Sequence, residues 1–148
     1  MRVFLDANVL FSAAKSNGAV RELLRLLRHA GHECWVDDYV VSEARRNLMA
    51  KGPEALSALQ SLLAQVQSSR TQTLSVASKQ IGWLPEKDRP VLATAIRLNC
   101  DVLVTGDRKH FGRAYGKQFG TVTIHSPRSL AELFYRTVEN CAIPLTRG

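Results

Sequence analysis

The chain has 148 residues, 45% hydrophobic and 22% charged, an ordinary globular composition that excludes a disordered or fibrous polymer and fits one domain with a real core. No apolar run approaches the roughly 18 residues of a membrane-spanning helix, and Cys34, Cys100 and Cys141 include no CxxC pair, which points to reduced thiols in a cytoplasmic protein rather than a disulfide framework. Lysine and arginine number 20 against 13 acids, for a net charge of +7; such a surface attracts polyanions, nucleic acid above all, although charge alone does not separate binding from plain solubility.

Along the chain, Arg2 to Leu5 reads as a buried strand. Asp6 interrupts the apolar N-terminus, so the stretch fits a strand followed by a short helix at Ser12–Ala14 better than a signal peptide. Ser16 to Gly18 marks a break. From Ala19 the spacing is helical, with Val20, Leu23, Leu24 and Leu27 on one side and Arg21, Arg25 and Arg28 on the other. Gly31 ends this helix, and Glu33 to Val36 forms a second strand. Asp37 or Asp38 can cap the next helix, with Val41, Ala44 and Leu48 toward the core. Gly52-Pro53 breaks it, a further helix spans Ala55 to Val66, and Ser68 to Ser78 is polar with at most an extended segment.

Gly82 to Pro85 reads as a loop. Asp88 opens a helix that tolerates Pro90 in its first turn and carries Leu92, Ala95, Ile96 and Asn99 on its core stripe. Asp101 to Thr105 is the clearest strand, and Gly106-Asp107 turns out of it. Thr121 to Ile124 is a fourth strand, Pro127 starts a closing helix with Leu130, Leu133 and Phe134, and residues 138–148 form a loosely ordered tail. Strands alternating with helices predict a three-layer α/β fold around a central parallel sheet.

Four acids stand out: Asp6 in VFLDANVL, Glu43 in VVSEARRNL, Asp88 in EKDRPVLATAI and Asp107 in VLVTGDRKHF. Taken singly, each has an ordinary explanation. Asp6 and Asp88 can be helix N-caps, Glu43 can be a surface glutamate near a helix N-terminus, and Asp107 can sit in a turn. Taken together they are more informative, because parallel α/β topology collects strand ends on one edge, where ligands bind. Clustered carboxylates repel, and either protonate or capture a cation; oxygen ligands favour Mg²⁺ or Mn²⁺ over Zn²⁺. Asp101 starts the strand that Asp107 follows, so it belongs to the opposite edge. His29, His32, His110 and His125 read as surface or helix-end residues.

Asn8 could position a water or a phosphate, and Thr105 could orient Asp107 through its hydroxyl. Arg45, Arg46, Arg108 and Lys109 flank the acidic motifs and are candidates for bringing in a polyanion, with a solvated surface as the ordinary alternative.

DANVLFSA, SEARRNL and KDRPVLATAIRLNCDVLVTGDRKHF together resemble a PIN domain, over about residues 1 to 137. The chain is most similar to the VapC-type toxins of toxin–antitoxin pairs. The resemblance implies a Rossmann-like sheet and a metal-dependent endoribonuclease site built from Asp6, Glu43, Asp88 and Asp107, with Asn8 in a position that relatives fill with a small polar residue. It further implies RNA as substrate, an antitoxin partner and a homodimer. A PIN-like module that binds RNA or protein without cutting, and a housekeeping PIN nuclease, are the alternatives. An aspartyl phosphatase would want DxD after the first strand, where DAN supplies one acid.

Overall fold

A computed structural model describes residues 1–71 and 78–142. Its six strands are β1 (Arg2–Leu5), β2 (Glu33–Asp37), β3 (Gln67–Ser69), β4 (Val102–Val104), β5 (Gln118–Phe119) and β6 (Val122–His125). They form one sheet in the order β3-β2-β1-β4-β6-β5, parallel except for the β5–β6 hairpin. Val3, Phe4 and Leu5 of β1 and Leu103 and Val104 of β4 are wholly buried. Strands with no exposed side need cover on both faces, and helices supply it, giving the three layers expected.

The helices among the described residues are α1 (Ala7–Lys15), α2 (Ala19–His29), α3 (Asp38–Lys51), α4 (Leu56–Leu63), α5 (Ser78–Ile81), α6 (Arg89–Arg97), α7 (Arg108–Phe111) and α8 (Pro127–Ala142). None is long and apolar enough to cross a membrane. Asp6 caps α1 by accepting from the Ala7 N–H, and Asp37, not Asp38, caps α3 by accepting from Val40 N–H. A short 3-10 turn at Glu86–Asp88 leads into α6.

Several expectations need correction. The buried stripe of α3 is Val40, Ala44 and Leu48; Val41 sits one residue off the i, i+4, i+8 line and is only half-buried. Asn99 lies beyond α6 in the left-handed region at φ 53°, a conformation asparagine tolerates, so it ends the helix instead of packing its stripe. Leu133 is 44% exposed, whereas Leu130 carries the contact of α8 with the core. The Arg21–Arg25–Arg28 side of α2 faces away from the buried leucines as expected, with Arg25 exposed and Arg21 and Arg28 half-buried. Arg21 donates to the carbonyls of Ala13 and Ala14 at the end of α1, and Arg25 pairs with Glu22. α4 is shorter than Ala55–Val66, and α8 continues to Ala142, into the segment expected to be a loose tail; residues 143–148 and most of the Ser68–Ser78 segment lie outside the described residues.

Strand order decides where a site can form. From β1 the chain winds outward through β2 to β3, then returns to place β4 on the other side of β1. The reversal falls between β1 and β4, and a crevice opens beyond the carboxyl ends of two such strands. Register aligns those ends: Leu5 pairs with Val104, and Val104 with His125. Asp101 lies at the other end of the sheet, where it accepts from the Arg2 N–H at 2.7 Å.

Candidate metal centre at the carboxyl edge

Asp6 leaves β1 at the crevice. Its N–H continues the ladder to the Val104 carbonyl at 3.1 Å, which fixes the residue against β4. The side chain is buried and fully engaged: Oδ1 accepts from Ala7 N–H at 2.8 Å, while Oδ2 accepts from the Thr105 hydroxyl at 2.7 Å and from the Asn8 amide at 3.2 Å. Burial raises the carboxyl to about 6, helped by the charges of Glu43 and Asp88 and opposed by the Thr105 and Ala7 hydrogen bonds.

Thr105 is fully buried and its hydroxyl ties both strand ends together. It donates to Asp6 and accepts from Asp107 N–H at 3.2 Å and Asn8 Nδ2 at 3.3 Å. The hydroxyl therefore orients the carboxylate of Asp6, and of Asp107 only the backbone. Asn8 completes the brace by accepting from Gly106 N–H at 2.7 Å. Tyr115 closes the wall, donating from its hydroxyl to the Thr105 carbonyl at 2.9 Å.

Thr105→Val keeps the shape and deletes the hydroxyl. Asp6 Oδ2 then loses its shorter donor and Asp107 N–H loses its acceptor, so the variant is expected to be less stable by about 1–3 kcal/mol, read as a lower urea midpoint at unchanged slope. An unchanged midpoint would show that the hydroxyl does not hold the strand ends.

Asp107 follows β4 by way of Thr105 and Gly106. Its Oδ1 caps α7 by accepting from His110 N–H at 3.2 Å, and its Oδ2 lies 2.8 Å from His110 Nδ1. Asp88 differs from the other two aspartates. It stands at the start of α6 but makes no side-chain cap hydrogen bond. Its Oδ2 is shielded from solvent and has no hydrogen-bond partner, although His110 Nδ1 lies 3.0 Å away. One ring nitrogen aligned on Asp107 cannot also align on Asp88, which reconciles the short distance with the missing bond. Burial raises the Asp88 carboxyl, and the charge of Asp107 adds to this.

Ligand atoms of Asp88, Asp107 and His110 all lie within 4.8 Å of one another. Asp6 and Glu43 stand outside this tight group. Both act on the site through charge, since Glu43 and Asp88 each raise Asp6 and Glu43, Asp88 and Asp6 all raise Tyr39. Arg45, Arg46, Arg108 and Lys109 are exposed on α3 and α7. His110 was missed in the sequence as a member of the cluster; the available signal was its i, i+3 spacing from Asp107, which puts both on one side of a helical turn. A buried carboxylate oxygen without a donor costs free energy unless a proton or cation meets it, so the residues present fit a divalent ion.

These features define a parallel α/β protein with an acidic crevice at its topological switch point. Residues 2–109 match the family model of the PIN domain, and the chain belongs to that family. A search of curated protein sequences finds no match. Among solved structures, a chain of VapBC2 from Rickettsia felis, a complex bound to a promoter DNA fragment, is similar at TM-score 0.64 and 19% identity over 85% of this chain and 98% of that one. A chain of VapBC-1 from nontypeable Haemophilus influenzae gives 0.55 and 14%, over 86% and 99%. VapC20 of Mycobacterium tuberculosis, a sarcin–ricin loop cleaving toxin, gives 0.55 and 13%, over 76% and 94%. At these identities the likeness is one of fold.

Proposed function

We propose that the chain is a divalent-metal-dependent endoribonuclease and the toxin of a toxin–antitoxin pair. The observation that carries this reading is the buried, donor-less Oδ2 of Asp88 facing Asp107 and His110 at the β1/β4 crevice. Asp88 and Asp107 would hold Mg²⁺ or Mn²⁺, with Asp6 and Glu43 completing the acidic set. A bound ion there supplies an activated water and stabilises the charge that builds on a phosphodiester under attack.

The protein's own contribution is placement. Thr105 and Asn8 hold Asp6 rigid, and α7 fixes Asp107. Glu43, half-buried on α3, would complete the ligand set or orient a water. His110 adds a nitrogen to an otherwise oxygen-rich set, which tilts the choice from Mg²⁺ toward Mn²⁺. Arg45 and Arg46 on α3, and Arg108 and Lys109 on α7, neutralise RNA phosphates.

Two of the chains of similar fold come from VapBC complexes, and a third is described as a toxin. A basic group from an antitoxin partner, inserted among the carboxylates, would exclude the ion by forming a charge-assisted pair. A homodimer and a cytoplasmic location belong to the same reading.

The test is cleavage of structured RNA with Mg²⁺ or Mn²⁺ and with a chelator. Binding, measured with chelator present, should weaken steeply with salt, by a log–log slope of roughly −0.7 per phosphate neutralised on a single strand. Charge reversal at Arg46 or Lys109 should shallow that slope without altering base preference. Affinity that is flat from low to physiological salt would remove RNA as the ligand of this surface.

A further inference from the structure

A pocket of about 370 Å³ is lined by Trp83, Arg113, Ala114, Lys117 and Phe119. Its walls come from segments that neighbour the candidate centre along the chain. Trp83 precedes Asp88 by five residues and packs edge-on against Phe111, with ring centroids 6.1 Å apart; Phe111 directly follows His110. Phe119 arrives on the β5–β6 hairpin, whose turn takes Gly120 at φ 61°, a conformation glycine supplies without strain.

The Trp83 and Phe119 rings stack at 5.0 Å and 25°, yet Trp83 remains 37% exposed. Its indole N–H is already spent on the Gln80 carbonyl at 2.8 Å, so what it offers a visitor is apolar ring surface. Arg113 and Lys117 are exposed beside it, and neither pairs with a carboxylate among the described residues. An aromatic surface flanked by two unpaired cations matches a nucleotide: a base stacks on the ring and phosphates meet the charges. A purely apolar protein partner would leave both cations facing nothing.

We propose that this pocket is a nucleotide subsite that takes an unpaired base of the bound RNA away from the cleaved phosphodiester, since Phe119 pairs with Val122 at the end of β6 remote from the acids. The base stacks on the Trp83–Phe119 pair, and Arg113 and Lys117 hold the adjoining phosphates. The inference rests on the ribonuclease reading for its substrate. It adds a preference for single-stranded over fully paired RNA, because a base within a duplex presents no free face.

The experiment reads Trp83 directly. The chain has two tryptophans, so Trp35→Phe leaves Trp83 as the sole indole. An unstructured single-stranded RNA oligonucleotide, titrated with chelator present, should quench its emission to saturation, and the same strand annealed to its complement should quench far less. By anisotropy, Trp83→Ala should weaken binding of the single strand roughly tenfold, near the low end of what a stacked base contributes. Trp83→Phe should retain most of the affinity, and Arg113→Glu or Lys117→Glu should lower both affinity and salt slope. The last three variants keep the ring packing, so a folding defect in Trp83→Ala does not remove the test.

The subsite is overturned if the strand binds with Trp83 emission unchanged, if it does not bind, or if an acidic peptide such as polyglutamate quenches Trp83 in its place. Quenching by RNA without any metal-dependent cleavage would sink the nuclease reading and leave the subsite standing. Cleavage with Trp83 silent would do the reverse.

Discussion

Asp107→Asn is expected to lower metal-dependent RNA cleavage by more than about a hundredfold, since loss of a mere outer-shell partner already costs 10–100-fold in metal sites. The amide can keep its carbonyl oxygen toward His110 N–H, the bond that caps α7 at 3.2 Å, so the fold should survive while a negative charge beside Asp88 is lost. Asp6→Asn should be equally inactive but is a less clean probe. An amide NH₂ in place of Oδ2 would confront the Thr105 hydroxyl and the Asn8 amide, both of which now donate there. Relief of carboxylate repulsion would then be offset by an unsatisfied contact. Asp101→Asn is the matched control, because Asp101 is tied to Arg2 on the opposite edge and should leave the rate unchanged. Induced expression in a bacterial host supplies a second readout: wild type should arrest growth and Asp107→Asn should not. Wild-type cleavage by Asp107→Asn would remove the acids from catalysis altogether.

Divalent metal is expected to stabilise the protein strongly. An ion that binds only the folded state at a hundred times its Kd adds about 2.7 kcal/mol, which for a chain of this size raises Tm by roughly 5–10 °C. Mn²⁺ should therefore shift the melting curve of wild type, a chelator should reverse the shift, and Asp107→Asn should show little of it. The effect should depend on pH in a direction set by Asp6. Burial first, then the charges of Glu43 and Asp88, raise its carboxyl from 3.8 to about 6. A raised carboxyl favours the neutral form in the metal-free fold, so its contribution to stability is complete below about pH 4 and is lost as pH rises through about 6. The ion needs the charged form and releases that proton on binding. The metal-induced shift should accordingly be larger at pH 7.5 than at pH 5. A shift equal in wild type and Asp107→Asn, or larger at pH 5, would count against the centre.

Much of this is legible in the chain before it folds. The wholly apolar runs around Phe4 and Leu103 announce buried parallel strands, because only a sheet covered on both faces accepts them. Asp6, Asp88 and Asp107 are likewise placed at strand ends and helix starts by local pattern, whereas Glu43 lies in the second turn of α3. Elements too short for periodicity to register are not legible: α7 has four residues and β5 two, so neither His110 beside Asp107 nor Phe119 beside Trp83 could be placed. A little over a quarter of a turn separates Val41 from Val40 in α3, too little for the pattern to tell them apart.

The sequence by itself determined the alternating α/β class and the β1 and β4 strands, since these depend on neighbours a few residues apart. The tertiary structure alone decided the strand order that puts the switch point between β1 and β4, the bond from Thr105 to Asp6 across 99 residues, and the release of Asp88 from capping duty. Each of these depends on contacts between distant segments, whose geometry is set by how the whole core packs and leaves no trace in any local spacing.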